Sequence, residues 1–240
     1  MKKEIFAKGC CFKKLFFLFV VGCLIGNYYE QILNLVTHYY NDGTIFWEYR
    51  RGVIYGPFSP IYGVGIVLFV FLLTRKPLNN WLTFLYGSLI GGIFEYLVSF
   101  FQEMFVGTTS WDYTGYFLNI NGRTTIPFML FWGFGALFAV KVFYPWFSDL
   151  IEKIPVKTGN IIFYILFVFL ITDMLISFSA LLRQNLRRHD IPPYTVIGEI
   201  YDKVYTDEFL HHYFPNMEAK WFVLVSFYSF LLYFWKRQSF

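Results

Sequence analysis

Charge is what this chain has least of. Of its 240 residues, 15% are Asp, Glu, Lys or Arg and 57% are hydrophobic, whereas ordinary soluble domains carry about 25% charged residues. A water-soluble globule of this size has too small an interior for so much apolar side chain. That class is excluded, and a polytopic membrane protein takes its place. Cysteine is also scarce. Cys10, Cys11 and Cys23 all lie near the N-terminus, which excludes a disulfide framework and leaves no CxxC metal spacing. The chain has no GxxxxGK[ST] nucleotide loop, no HExxH and no GxSxG, and the 207–212 run (DEFLHH) matches no metal motif. No basic stripe with interleaved aromatics occurs, so no nucleic-acid partner is expected, and no cofactor or metal is expected either. Internal repeats and low-complexity segments are missing too.

Aromatic residues are abundant, at 24% of the chain with 32 Phe and 19 Tyr. Phe suits lipid-facing surface, and Tyr and Trp suit the two membrane interfaces. Lys2, Lys3, Lys8, Lys13 and Lys14 precede an apolar run, as in a signal peptide, and Val20-Val21-Gly22-Cys23 loosely fits a lipoprotein cleavage site. Apolar sequence continues past Cys23 without a small-x-small site, so the run is read as a first span over 15–36. Further spans are predicted over 53–74, 81–101, 125–145, 161–182 and 221–235, the last one short. The expected fold is all-α: one polytopic integral membrane helix bundle over 1–240, with about six transmembrane helices. With the N-terminus inside, 12 of the 20 basic residues fall on the inner side, which predicts both termini in the cytoplasm. Between the fifth and sixth spans, apolar residues from Val196 to Phe209 recur at spacings of three to five. They predict an amphipathic segment over 194–213 lying on the outer surface.

This topology brings polar residues to one level near the outer leaflet. Glu30 ends the first span, Glu95 lies roughly 21 Å into the third, and Asp173 reaches the middle or outer half of the fifth. Gln102 shares the helix face of Glu95, and Glu103 follows it. Arg51 stands before the second span and Arg123 before the fourth. An unpaired carboxylate in the bilayer costs about 2.5–3.5 kcal/mol even on the lenient insertion scale, so these acids should face the bundle interior. Two readings stay open: helix-locking ion pairs such as Glu95 with Arg123, or an outward polar cavity in which Glu30, Glu95 and Asp173 bind a cation or proton. In the second, Arg51 and Arg123 are partners of the acids or anion clamps.

Two connectors stand out. In 56–63 (GPFSPIYG), Pro57 and Pro60 open a span, where a missing N–H costs little, and Gly56 and Gly63 flank them. The segment reads as a tightly packed helix start with Tyr62 on its first turn, or as a broken helix end whose N–H groups face an anionic ligand. In 111–123 (WDYTGYFLNINGR), Asp112 and Asn119 suit local side-chain turns, and Asn121-Gly122 is a tight-turn dipeptide. Trp111 and Tyr113 suit the headgroup region. The stretch reads as an interfacial hairpin or as a re-entrant loop over a cavity, with Asp112 and Asn121 shaping it.

At these residues the chain resembles a known family. Glu30, Arg51-Gly52, Gly56-Pro57, Pro60-Ile61-Tyr62-Gly63, Glu95-Tyr96, Glu103, Trp111-Asp112-Tyr113, Asn119-Ile120-Asn121-Gly122-Arg123 and Trp132-Gly133 together resemble the ABC-transporter type IV family, the CmpB-like permeases. The resemblance is strong over 16–145 and looser through Asp173 and Arg183. It implies a multi-pass plasma-membrane protein of bacterial type: a permease component of unknown substrate. It also implies a separate ATPase subunit, since this chain has no nucleotide loop. The cytoplasmic connectors are short, and the distinctive residues face outward, which suits an extracellular ligand better than a coupling surface. Two rival readings stay open. One is an intramembrane enzyme acting on lipid or cell-envelope substrate, with Glu95, Glu103 and Asp112 as acid/base groups. It is the less expected, for want of a nucleophile or metal motif. The other is a non-catalytic scaffold or sensor. Self-association into a homo-oligomer is compatible with all three.

Overall fold

In the computed structural model, residues 4–220 are described. The expected sixth span, 221–235, lies outside them. Among the described residues, four helical runs are long and apolar enough to cross a membrane: α1 (Phe12–Asp42), α3 (Asn80–Val106), the run Ile126–Glu152, and α6 (Val156–Arg188). A shorter apolar helix, α2 (Pro60–Leu73), stands between the first two. The helices alternate in direction, so the bundle has two polar ends. One is formed by the start of α1 and the stretch from Glu152 to Val156. The other, the connector end, carries residues 43–59, 107–125 and 189–220.

Several expected boundaries move. The run 53–74 is not one helix: α2 begins only at Pro60, which takes the first helical position after the N-cap Ser59. Gly56 is left-handed at φ 83°, and two prolines in four residues deny the backbone helical donors. Residues 53–59 therefore form an ordered coil. Its 14 residues give α2 a length of about 21 Å, short of the roughly 30 Å hydrocarbon core. The opposite error occurs at Pro145, where the 125–145 run was expected to stop. Helix α4 (Ile126–Phe138) continues through a π turn (Ala139–Phe143) into α5 (Tyr144–Glu152), with Tyr144 N–H bonding the Ala139 carbonyl. The wider turn accommodates a proline that cannot donate to the residue four back. The amphipathic segment 194–213 is two helices, α7 (Val196–Val204) and α8 (Asp207–Tyr213), broken where Thr206 caps the second. Only one of them, α7, leaves its apolar stripe outward, with Val196, Ile197, Ile200 and Val204 all exposed.

Packing follows small residues. A Cβ at Gly63 would stand 2.6 Å from Phe19, so its absence lets α2 lie directly on α1. Gly87, Gly91 and Gly92 of α3 and Gly133 of α4 form a second such seam, with Ala136, Trp132, Met129 and Ser88 as the facing atoms. The main core joins Phe16, Phe17, Leu18 and Cys23 of α1 to Phe143, Phe147 and Ile151 around the π turn, and to Phe163 and Leu170 of α6. Beside this core Lys14, fully buried, pairs with Glu152 and donates to Ser148 Oγ at 2.5 Å. Lys13 reaches Asn160 Oδ1 at 2.5 Å. At the connector end, two short antiparallel pairs appear: β1 (Thr108–Thr109) with β4 (Glu218–Ala219), and β2 (Asn119–Ile120) with β3 (Thr124–Thr125).

Candidate functional site

The 111–123 stretch folds as the hairpin reading predicts. Asn121 and Gly122 both take positive φ, 52° and 67°, and Arg123 N–H closes the turn on the Ile120 carbonyl at 3.0 Å. Asn119 fastens it, donating from Nδ2 to the carbonyls of Thr114 and Tyr116 and accepting from Gly122 N–H at 3.0 Å. Trp111 Nε1 donates to the Arg123 carbonyl at 2.9 Å, and Asn121 Nδ2 to Tyr96 OH at 3.0 Å. Asp112 accepts from Thr114 N–H at 2.8 Å and from Lys220 Nζ at 2.9 Å. Hydrogen bonds from Thr114, then from Lys220, hold its carboxyl below the usual carboxylate range, and the Asp112 bond in turn raises the Lys220 ammonium.

Glu95 lies one helical turn beyond Gly91, whose missing side chain makes room for Trp132. It is 5% exposed. The Glu95–Arg123 pair offered by one of the two readings does not form. Glu95 instead accepts from Tyr113 OH at 3.0 Å and from Thr124 Oγ1 at 2.6 Å, both donors supplied by the hairpin. Arg123 bonds Glu103 at 2.5 Å and Ser99 Oγ at 3.2 Å, with its guanidinium over the rings of Tyr96 and Phe100. The reason is position: Glu103 lies two turns beyond Glu95, level with the hairpin's far end, whereas Glu95 faces the strand residue Thr124. Burial first, and the nearby Glu95 second, push the Tyr113 phenol up.

Glu30 accepts from Tyr62 OH at 2.9 Å, so the second connector reaches the first span through the tyrosine of its opening turn. Both Glu30 and Glu95 line a cleft of about 1010 Å³ between α1, α3, α4 and the connectors. Its walls are aromatic. Tyr62 packs 6.1 Å from Trp132 and 6.2 Å from Tyr29, Tyr29 stacks 6.3 Å from Phe131, and Tyr113 stacks 4.8 Å from Phe128. Residues 213–217 close it from the loop side. Arg51 stands at its edge. The guanidinium lies 4.8 Å from the Tyr213 ring and 5.3 Å from the Tyr49 ring, and Nη1 donates to the Ile54 carbonyl at 3.3 Å.

The candidates thus separate into three groups. Glu30, Glu95 and Arg51 meet in the cleft. Asp112, Asn119, Asn121, Glu103 and Arg123 build the hairpin and tie it to α3. Asp173, expected with the other acids, does not line the cleft. Its Oδ1 accepts from Tyr55 N–H at 3.0 Å and from Ser177 Oγ at 3.2 Å, while Ile54 N–H donates to Ser177 Oγ at 2.8 Å. It holds the non-helical 53–55 backbone against α6, a role created by the coil that replaces the expected helix start. The motif residues Gly56, Pro57, Pro60 and Gly63 shape that coil and the start of α2, while Gly122, Trp132 and Gly133 shape the hairpin and the seam below it. Residues outside the sequence expectation complete the site: Thr124 and Tyr213, and Lys220, which ties the end of the fifth loop to the hairpin. A further network lies at the end of α6. Arg183 grips both oxygens of Asp202 at 2.8 and 2.7 Å, and Arg187 bridges Asp202 and Asp207 at 2.7 Å each. The Arg183 bond leads the causes that lower the Asp202 carboxyl. The signal was available, since Arg183 and Arg187 stand one turn apart on one helix face.

A protein-family model described as "Putative ABC-transporter type IV" matches residues 17–178. No curated protein and no solved structure matches the chain. The matched stretch contains all nine candidate site residues and ends before the Arg183 network.

Proposed function

The chain belongs to the ABC-transporter type IV family, and from that premise we propose that it is the permease component of a solute transport system whose cleft receives the solute. In this reading residues 1–240 are one plasma-membrane domain of bacterial type, crossed six times with 221–235 as the last span and both termini in the cytoplasm. The connector end then faces outward, with α7 and α8 on the outer surface. Energy comes from a separate ATPase subunit, because no nucleotide loop is present in the sequence. The observation that carries the proposal is the cleft itself. Two carboxylates, Glu30 and Glu95, on different helices line one cavity near the connector end, each held in place by a tyrosine hydroxyl from a different connector. Acids in such positions are expensive to keep in a membrane and mark solute or ion pathways.

The test is purification of the intact chain from its native membrane in mild detergent, with identification of what accompanies it. A stoichiometric ATPase is the expected result. A homo-oligomer without an ATPase would overturn the permease assignment and leave the cleft to be explained as an ion-coupled or catalytic site.

A further inference from the structure

We propose that the ligand of this cleft presents an alkylammonium group, carried either by a free organic cation or by a lipid headgroup. The inference rests on the reading of the cleft as the solute site and names the chemistry that site takes.

The first argument is charge. Acids around the cleft are generally matched with cations: Glu48 with Arg50 at 2.7 Å, Glu103 with Arg123, and Asp112 with Lys220. Glu30 and Glu95, the two carboxylates that line the cleft itself, form no ion pair among the described residues. Their donors are the neutral hydroxyls of Tyr62, Tyr113 and Thr124. A hydroxyl orients a carboxylate without neutralising it, so a positive group entering the cleft meets two acids already aimed and free of a direct ion pair, with Arg50 and Arg51 the nearest cations in the lining.

The second argument is the wall. Tyr29, Tyr62, Trp132 and Phe131 form one continuous aromatic patch beside Glu30, and Tyr113 with Phe128 forms another beside Glu95. Ring faces attract a desolvated ammonium through their quadrupoles, and substituted ammonium ions are the cations that aromatic cages hold. A divalent metal ion would instead want a shell of six or more oxygen ligands, and no cluster of three His, Cys, Asp or Glu suited to a metal occurs among the described residues. The cleft edge already shows this kind of contact in Arg51, whose guanidinium lies over Tyr213 and Tyr49.

The third argument weighs the opposite charge. An anion would need Arg50 or Arg51. Both line the cleft. Arg50 is engaged by Glu48, whereas Arg51 lies over two rings and donates to the Ile54 carbonyl with its Nε buried and unpartnered, so the sulfonate arm of the test below decides between the two charges. One side of the cleft is apolar as well. Leu97, Phe101, Phe105 and Phe178 line it and are also exposed on the helix surfaces, which suits the carbon substituents of an ammonium ion better than a hydrated ion.

The experiment is isothermal titration of the purified full-length protein with benzyltrimethylammonium, its neutral isostere neopentylbenzene, and the anion phenylmethanesulfonate. Saturable binding of the cation alone is expected. Glu30→Gln and Glu95→Gln, which keep the hydrogen-bonding shape, should each weaken it at least about tenfold while the thermal unfolding of the protein stays near that of the parent. Equal binding of the neutral probe, or preference for the sulfonate, would overturn the ammonium assignment and leave the cleft as a solute site. Failure of all three probes to bind would also overturn the ammonium assignment, while the permease reading stands or falls separately on the co-purified ATPase. Repeating the cation titration in phosphatidylglycerol nanodiscs with and without phosphatidylethanolamine separates the sources. Competition by the added lipid assigns the ammonium to a headgroup, and unchanged affinity assigns it to a free solute.

Discussion

The two polar ends of this bundle treat carboxylates in opposite ways. At one end Glu152 meets Lys14, a lysine with no solvent exposure at all, and Gly9 N–H and Ser148 complete the knot. At the other, Glu30 and Glu95 are held by hydroxyl groups and form no direct ion pair among the described residues. Opposite charges in the first case fasten α1 to α5, and nothing remains for a ligand to satisfy. Neutral donors in the second case fix direction and leave each carboxyl without a counter-ion. The difference teaches how to sort the acids of such a bundle: a charged partner marks a clasp, as at the partly exposed Glu152, and neutral partners mark a candidate site, as at the buried Glu95.

The contrast can be broken from either side. Breaking the Lys14–Glu152 clasp should have the largest effect on stability, and Lys14→Met is one half of that test. It removes the cation that clasps the partly exposed Glu152 to α1 and must be matched by Glu152→Ala, which leaves the fully buried Lys14 unpaired and is the change of this pair that costs about 3 kcal/mol. A clearly lower unfolding midpoint in detergent checks it, and an unchanged midpoint would remove the clasp from the comparison. Gly91→Leu comes next. A side chain there collides with Trp132, and forced overpacking costs about 1–3 kcal/mol while it pushes α3 off α4. Its signature is joint loss of stability and of cleft binding. Glu95→Gln should lie within about 1 kcal/mol of the parent in stability, because Tyr113 and Thr124 keep a polar partner, yet abolish transport. A matching loss of folded protein would place Glu95 with Glu152 as structural. The smallest effect belongs to Lys220→Ala. It should raise hydrogen exchange at 108–112 by less than about fivefold, as for exposed pairs.

Acidity sharpens the same comparison. The Asp112 carboxyl is depressed in the folded protein. Its contribution is therefore complete above the unfolded carboxylate value of about 3.9 and is lost as pH falls below that toward the folded value. Hydrogen-exchange protection factors in the hairpin, taken against the intrinsic rate at each pH, should stay constant from neutral pH down to about 5 and fall only below 4. Asp112→Asn should remove the dependence.

Much of the site could be read from the chain, and what could not was tertiary. Glu30 and Glu95 reveal themselves because a carboxylate inside an apolar run has few places to go, and helical rise alone sets their depth. Asn121-Gly122 reveals its turn because few dipeptides accept two positive φ values. The partners were not legible. Nothing local says that Glu95 bonds Thr124 while Arg123 passes over it to Glu103, since that choice depends on where a hairpin docks against a helix. Asp173 was grouped with the other acids because the expected helix over 53–59 hid the coil whose N–H groups it receives. Pro145 was read as a stop because a regular helix cannot accept it there, and one wider turn can.

That wider turn sets the angular phase of the whole fourth span. In a regular helix Phe147, eleven residues beyond Ala136, would point within about 20° of it. Yet Ala136 faces α3, while Phe147 and Ile151 face α1 and Glu152 reaches Lys14. The π turn at 139–143 supplies the missing rotation of roughly a quarter turn by holding one residue more than an α-helical turn would. One unbroken apolar rod can therefore serve two neighbours in different directions. Deleting a single residue from 139–143 would restore a regular helix with both faces still aimed correctly, and is the length change this span should tolerate best. Straightening it without a deletion would swing α5 off α1 and release Lys14 from its clasp.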